Sequence, residues 1–77
     1  MAKSLKQPAD QLTQSIIMSI RTLADLLGDS TAALSEALGA IERGEQKAAL
    51  GIVLGLEATL TDAMTLQHAI LVMHRQR

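Results

Sequence analysis

The chain of 77 residues contains no cysteine and no phenylalanine, tyrosine or tryptophan. Without cysteine, no disulfide can stabilise the fold. Without aromatic side chains, which bury the most surface per residue, the core must be built from Leu, Ile, Val, Ala and Met. A domain of this size is only marginally stable by itself, so these absences favour stabilisation by oligomerisation.

The chain also lacks an excess of charge of either sign, because its formal net charge is −1. All eight acidic residues lie between Asp10 and Asp62, whereas the ends of the chain are basic through Lys3, Lys6, Arg75 and Arg77. A nearly neutral molecule does not attract nucleic acid as a whole. A dimer that presents its basic ends to nucleic acid is therefore a weak alternative, and the basic residues are read first as ordinary solvated termini.

Long hydrophobic runs are missing as well. Met1 to Gln7 does not contain the apolar stretch of a signal peptide, and no run of about 18 uninterrupted apolar residues occurs. We therefore expect a soluble, cytoplasmic protein that does not interact with a membrane. The absence of cysteine is consistent with a reducing compartment.

No motif for catalysis or cofactor binding is present, so we expect no enzyme, no cofactor and no small-molecule substrate. The only candidate for chemistry is the pair Glu57 and His68, which share the polar side of a predicted helix. They are eleven residues apart, or about 16 Å along the helix, which is too far to hold one metal ion. An antiparallel dimer is the one arrangement that would bring them together, between chains.

The chain is predicted to be all-α, with three helices at about residues 8–27, 30–43 and 45–75, in one domain of residues 8–77 that follows a flexible tail of residues 1–7. Pro8 suits the first turn of a helix, and Gly28 and Gly44 are typical helix ends. Because the connection at Gly44 is so short, the second and third helices should form an antiparallel helical hairpin.

The long C-terminal helix has an apolar arc that covers almost half of its circumference. Its residues are Ala49, Ile52, Val53, Leu56, Leu60, Ala63, Met64, Ile70 and Leu71, flanked by Ala48, Leu66 and Met73. The second helix is too short to cover Leu60 to Met73. Either the first helix folds back into a three-helix bundle, or it runs end to end with the second helix, with a bend at Gly28.

These considerations predict a homodimer, or a complex with another helical protein, formed through the C-terminal half of the long helix. The expected interface residues are Leu60, Met64, Leu66, Gln67, Ile70, Leu71 and Met73. Gln67 is a polar residue within the apolar arc, and such residues can set the register or the oligomeric state. The alternative is that Gln67 lies at the rim of the core.

The sequence therefore favours a non-enzymatic protein–protein interaction module, a small assembly or adaptor protein that self-associates. One alternative is a chaperone-like protein whose apolar groove holds an amphipathic helix of a partner. Met18, Met64 and Met73 fit such an adaptable groove, although methionine at helical spacing is more often core. The other alternative is the dimeric nucleic-acid-associated regulator described above.

Overall fold

A computed structural model describes residues 8–76 and places them in two helices, α1 (Pro8–Glu42, 35 residues) and α2 (Gln46–Arg75, 30 residues). The helices pack against each other as a hairpin that measures 63 × 20 × 11 Å. The all-α class and the hairpin are confirmed for these residues, among which no strand occurs. The predicted tail of residues 1–7 lies outside the described residues, as does Arg77.

The predicted division into helices at 8–27 and 30–43 is wrong, because α1 continues without a break through Gly28, Asp29 and Ser30. Instead of capping a new helix, the Ser30 hydroxyl donates a hydrogen bond to the carbonyl of Leu26 at 3.0 Å. Serine in a helix interior often bonds to the preceding turn in this way. A glycine there costs only about 1 kcal/mol relative to alanine, an amount that packing against a second helix readily outweighs.

That packing occurs along one stripe of each helix, which we call the seam. The residues of the seam are separated by alternating steps of three and four positions, the heptad spacing of a two-stranded coiled coil. Every one of them is buried or half-buried. They are Leu12, Ile16, Ser19, Leu23, Leu26, Ser30, Ala33, Ala37 and Ala40 in α1, and Ala49, Ile52, Leu56, Thr59, Ala63, Leu66, Ile70 and Met73 in α2.

The continuous α1 also changes the length argument. At 1.5 Å per residue, α1 is about 52 Å long and α2 about 45 Å long, so α1 can cover the whole of α2. The expectation that Leu60 to Met73 extends beyond its neighbour is therefore wrong. Leu66, Ile70 and Met73 are half-buried at the seam. Of the two arrangements considered, the end-to-end one is closer to the structure, with one uninterrupted helix in place of two.

The turn at Gly44 was predicted correctly, and its hydrogen bonds explain why it is sharp. Gly44 has φ of 82°, the left-handed conformation that glycine adopts without strain. Its N–H donates to the Ile41 carbonyl at 2.9 Å, and the Glu45 N–H donates to the Ala40 carbonyl at 2.8 Å. This pair of bonds is the Schellman motif, which satisfies the last carbonyls of α1. The Glu45 side chain pairs with Arg43 at 3.0 Å and does not cap α2.

The two glycines should respond in opposite ways to replacement by alanine. Gly28→Ala is expected to stabilise the hairpin by up to about 1 kcal/mol, because the position is helical and a β-carbon there meets nothing within 4 Å. Unfolding by urea, followed by far-UV circular dichroism at one protein concentration, measures the change.

Gly44→Ala is the matched comparison and should destabilise by about 1–2 kcal/mol, since alanine is strained at positive φ. A loss of stability in Gly28→Ala as large as that in Gly44→Ala would show that α1 is broken at Gly28.

Candidate interaction surface

The core between the two helices is thin, because the most buried seam positions are mostly small. Ala37, Ala40 and Ala49 form its buried cluster near the turn, with Ile52 packed against them. Ala40 and Ala49 are each 2% exposed, and among the described residues no large side chain is fully buried. Alanine lets two helices approach closely but buries little apolar surface. Most of the large apolar side chains of the chain therefore lie outside the seam.

These side chains are concentrated on one face of the hairpin, which we call the apolar face. Eleven of the fourteen exposed large apolar side chains among the described residues belong to it. They are Ile17, Ile20, Leu27, Leu34, Leu38 and Ile41 from α1, and Leu50, Val53, Leu60, Met64 and Leu71 from α2. The three exceptions are Met18, Leu54 and Val72, which point to the edges or the other side.

Two shallow grooves show that both helices contribute to this same face. Near the turn, one groove is lined by Leu34, Leu38 and Ile41 of α1 and by Leu50 and Val53 of α2, with Ala37 and Ala49 at its floor. Nearer the other end, a second groove is lined by Leu23 and Leu27 of α1 and by Ala63, Met64 and Gln67 of α2. The apolar face is thus a continuous surface that runs along both helices.

The opposite face of the hairpin is mostly polar or built from small residues. The positions that directly precede seam residues are Gln11, Ser15, Met18, Thr22, Asp25, Asp29, Ala32, Glu36 and Gly39 in α1, and Ala48, Gly51, Gly55, Ala58, Asp62, Thr65, Ala69 and Val72 in α2. All of them except the half-buried Gly39 are exposed, and Met18 and Val72 are the large apolar side chains among them. This difference between the two faces gives the hairpin one surface suited to water and one suited to another apolar surface.

The structure separates the predicted interface residues into two groups. Leu60, Met64, Gln67 and Leu71 are exposed on the apolar face, whereas Leu66, Ile70 and Met73 are half-buried at the seam. The wide apolar arc of the sequence therefore consists of two adjacent stripes, one for α1 and one that remains uncovered.

The predicted interface did not include the part of the apolar face that α1 contributes, nor Leu50 and Val53 near the turn, although Val53 was placed in the apolar arc. The pattern was present in the sequence. Each apolar-face position of α1 directly follows a seam residue, so these positions repeat at the same alternating steps of three and four. Assigning the wrong end to the first helix at Gly28 concealed this repeat, since it interrupted both stripes at the same place.

The other residues considered at the sequence level are not brought together by the fold. Glu57 and His68 are both exposed on α2 and lie about 16 Å apart along it. Among the described residues, no group of three or more His, Asp or Glu side chains could hold a metal ion.

Helix α2 is nevertheless long and apolar enough, by length and composition, to cross a membrane. Sequence reasoning did not expect this, because it searched only for an uninterrupted apolar run. Core helices of soluble proteins have the same property, but only 17% of the most apolar stretch of α2 is buried within the hairpin. Most of the apolar surface of α2 is therefore available to something other than α1.

Comparison with protein-family models, with curated proteins and with solved structures found no match to this chain. The apolar face therefore has to be interpreted from its own geometry.

The thin seam predicts that Ala49→Leu will destabilise the hairpin by about 1–3 kcal/mol, because the larger side chain forces the closely packed helices apart. Ala48→Leu is the control, since it is the neighbouring position but is exposed. Thermal unfolding followed by circular dichroism measures both variants. Equal stability of the two variants would contradict the placement of Ala49 at the seam.

Proposed function

We propose that this hairpin is a non-enzymatic protein–protein interaction module, a small helical assembly or adaptor protein that self-associates through its apolar face. The observation that supports the proposal is the concentration of eleven exposed large apolar side chains on one face, opposite a face of mostly polar and small residues. Extended apolar surfaces with this one-sided distribution mark interaction sites in soluble proteins.

The size of the face is sufficient for a stable dimer. The hairpin is 63 Å long and 20 Å wide, which corresponds to roughly 1,300 Å² in projection. A typical specific interface buries about 800 Å² on each partner. Two copies that bury the apolar face against each other would therefore form an interface of at least ordinary size, and the result would be a four-helix bundle.

A second copy is the occupant that best fits the composition of the face. Few charged groups lie on it, so no electrostatic pattern selects a partner of opposite charge. The hairpin is only 11 Å thick, which is the thickness of one layer of helices. A four-helix bundle consists of two such layers, and each hairpin would supply the missing half of the core of the other.

A partner's amphipathic helix is the second candidate occupant, as in the chaperone-like alternative. The groove near the turn favours it, because Leu34, Leu38 and Ile41 face Leu50 and Val53 across an open apolar channel. Helices that lie in such grooves present apolar residues at steps of three and four. Purification as a stoichiometric complex with a different polypeptide would support this occupant over a second copy.

The proposal predicts that the protein is a dimer at micromolar concentration and that Leu60→Asp converts it to a monomer or weakens it by tenfold or more. Leu60 is 48% exposed on the apolar face, and the substitution places a charge within the interface. Light scattering with refractive-index detection measures the mass, because the chain has no aromatic residue to absorb.

Leu54→Asp is the control, since Leu54 is 72% exposed in the same helix but points away from the apolar face. This variant should retain the mass of the dimer. A wild-type protein that is already monomeric at this concentration, or that is recovered only with lipid vesicles, would exclude self-association.

A further inference from the structure

We infer that two copies of the hairpin pack apolar face against apolar face with their turns at opposite ends, in a register that places Glu57 of each copy beside Gln67 of the other. This inference rests on the proposed self-association and specifies its geometry. It follows from the positions of the few polar and small residues on the apolar face, since these residues match at the centre of both stripes in one arrangement and not in the other.

Two arrangements with twofold symmetry are possible for flat hairpins that pack face to face. With the turns at opposite ends, α1 packs on α1 of the second copy and α2 packs on α2. With the turns at the same end, each α1 packs on the α2 of the second copy. In the first arrangement one hairpin can shift along the helices relative to the other and keep the twofold symmetry, so several registers are possible. In the second, the twofold axis runs parallel to the helices, so the two copies stay at the same height and only one register is possible.

The α2 stripe of the apolar face supplies the first argument. Its consecutive positions are Leu50, Val53, Glu57, Leu60, Met64, Gln67, Leu71 and His74. When α2 packs antiparallel on its copy with Glu57 opposite Gln67, Leu60 comes opposite Met64 and Val53 comes opposite Leu71. The carboxylate of Glu57 then accepts a hydrogen bond from the Gln67 amide, and the apolar residues pair with each other. Only the pair of Leu50 and His74, at the end of the stripe, places an apolar side chain opposite a polar one.

The α1 stripe supplies the second argument, because its register is no longer free. The packing of Ala40 with Ala49 sets the two helices level near the turn, so the centre of the α2 pairing, position 62, lies level with Leu27. Leu27 then meets Leu27 of the second copy, and Ile20 meets Leu34. The next positions on the stripe pair two small residues, Ala24 and Thr31.

The same register places Ile17 opposite Leu38. A register chosen for the polar pair of α2 thus also matches large with large and small with small at the central pairs of α1. Only the outermost pair, Thr13 and Ile41, joins a small polar residue to a large apolar one. The register of α1 on its copy follows from the register of α2 and cannot be chosen separately. That one register suits both stripes is the main support for the inference.

The alternative, with the turns at the same end, fits the face less well. When residues at the same height along the bundle face each other, Glu57 meets Thr31, but Gln67 meets Ile20, which leaves a buried amide without a hydrogen-bond partner. Because the axis is parallel to the helices, no sliding corrects this mismatch. One polar residue of each copy would be buried against an apolar side chain.

Pairs of introduced cysteines distinguish the two arrangements, since the chain has no cysteine of its own. Ile17→Cys with Leu38→Cys in one chain should give a covalent dimer on mild oxidation. Within one chain these positions are about 32 Å apart along α1, far more than a disulfide spans. Ile17→Cys with Leu71→Cys is the matched variant that forms a covalent dimer only when the turns lie at the same end.

Non-reducing gels and light scattering before oxidation give three outcomes. A dimer that crosslinks through positions 17 and 38 and not through 17 and 71 supports the inference. A dimer that crosslinks only through 17 and 71, or through neither pair, overturns the register while self-association stands. A monomer before oxidation overturns self-association itself, and the register with it.

Gln67→Leu provides a second measurement whose sign differs between the arrangements. With the turns at opposite ends, it leaves Glu57 of the second copy without its partner and should raise the dimer dissociation constant about tenfold. With the turns at the same end, the new leucine would pack on Ile20 and lower that constant. Adding Glu57→Leu to Gln67→Leu should restore tight association only in the arrangement inferred here, because both polar groups are then removed together.

Discussion

The close approach of α1 and α2 along a seam whose most buried residues are small is the constraint on which the rest of the structure depends. Ala37, Ala40 and Ala49 let the two backbones come together at the turn, and Ser30 continues the small side chains toward the middle. A seam of this kind buries little apolar area, so the hairpin gains only modest stability from it. The large apolar side chains remain on the outside, where a second surface is needed to bury them.

The general architecture could be predicted from the sequence because its signals are local. Gly44 has to adopt positive φ, and the short connection that follows leaves only an antiparallel hairpin. The continuity of α1 could not be predicted from the same kind of signal. Gly28, Asp29 and Ser30 have the composition of a helix end, and packing against α2 on both sides of these residues overrides that preference.

The candidate surface could be predicted only in part, for a related reason. The apolar arc of α2 was correctly seen as too wide for one neighbour, and Leu60, Met64, Gln67 and Leu71 do remain uncovered. Which residues of the arc face α1 depends on the rotation of α2 about its own axis. That rotation is set by where Ala49 and Ala63 meet α1, which is a tertiary contact that helical periodicity does not contain.

The polar residues of the apolar face are what would distinguish the proposed interface from a merely hydrophobic surface. Thr31, Glu57 and Gln67 interrupt the central parts of the two stripes, where the other positions are apolar, and each of them lowers the affinity for a lipid phase or an unselective apolar partner. A surface selected only for apolar area would have apolar residues at these positions. Their spacing carries information that the leucines do not, because leucines can slide past one another at little cost whereas a buried carboxylate needs its donor. In a bundle without aromatic side chains, these few polar groups are what can specify a single register among several of similar apolar area.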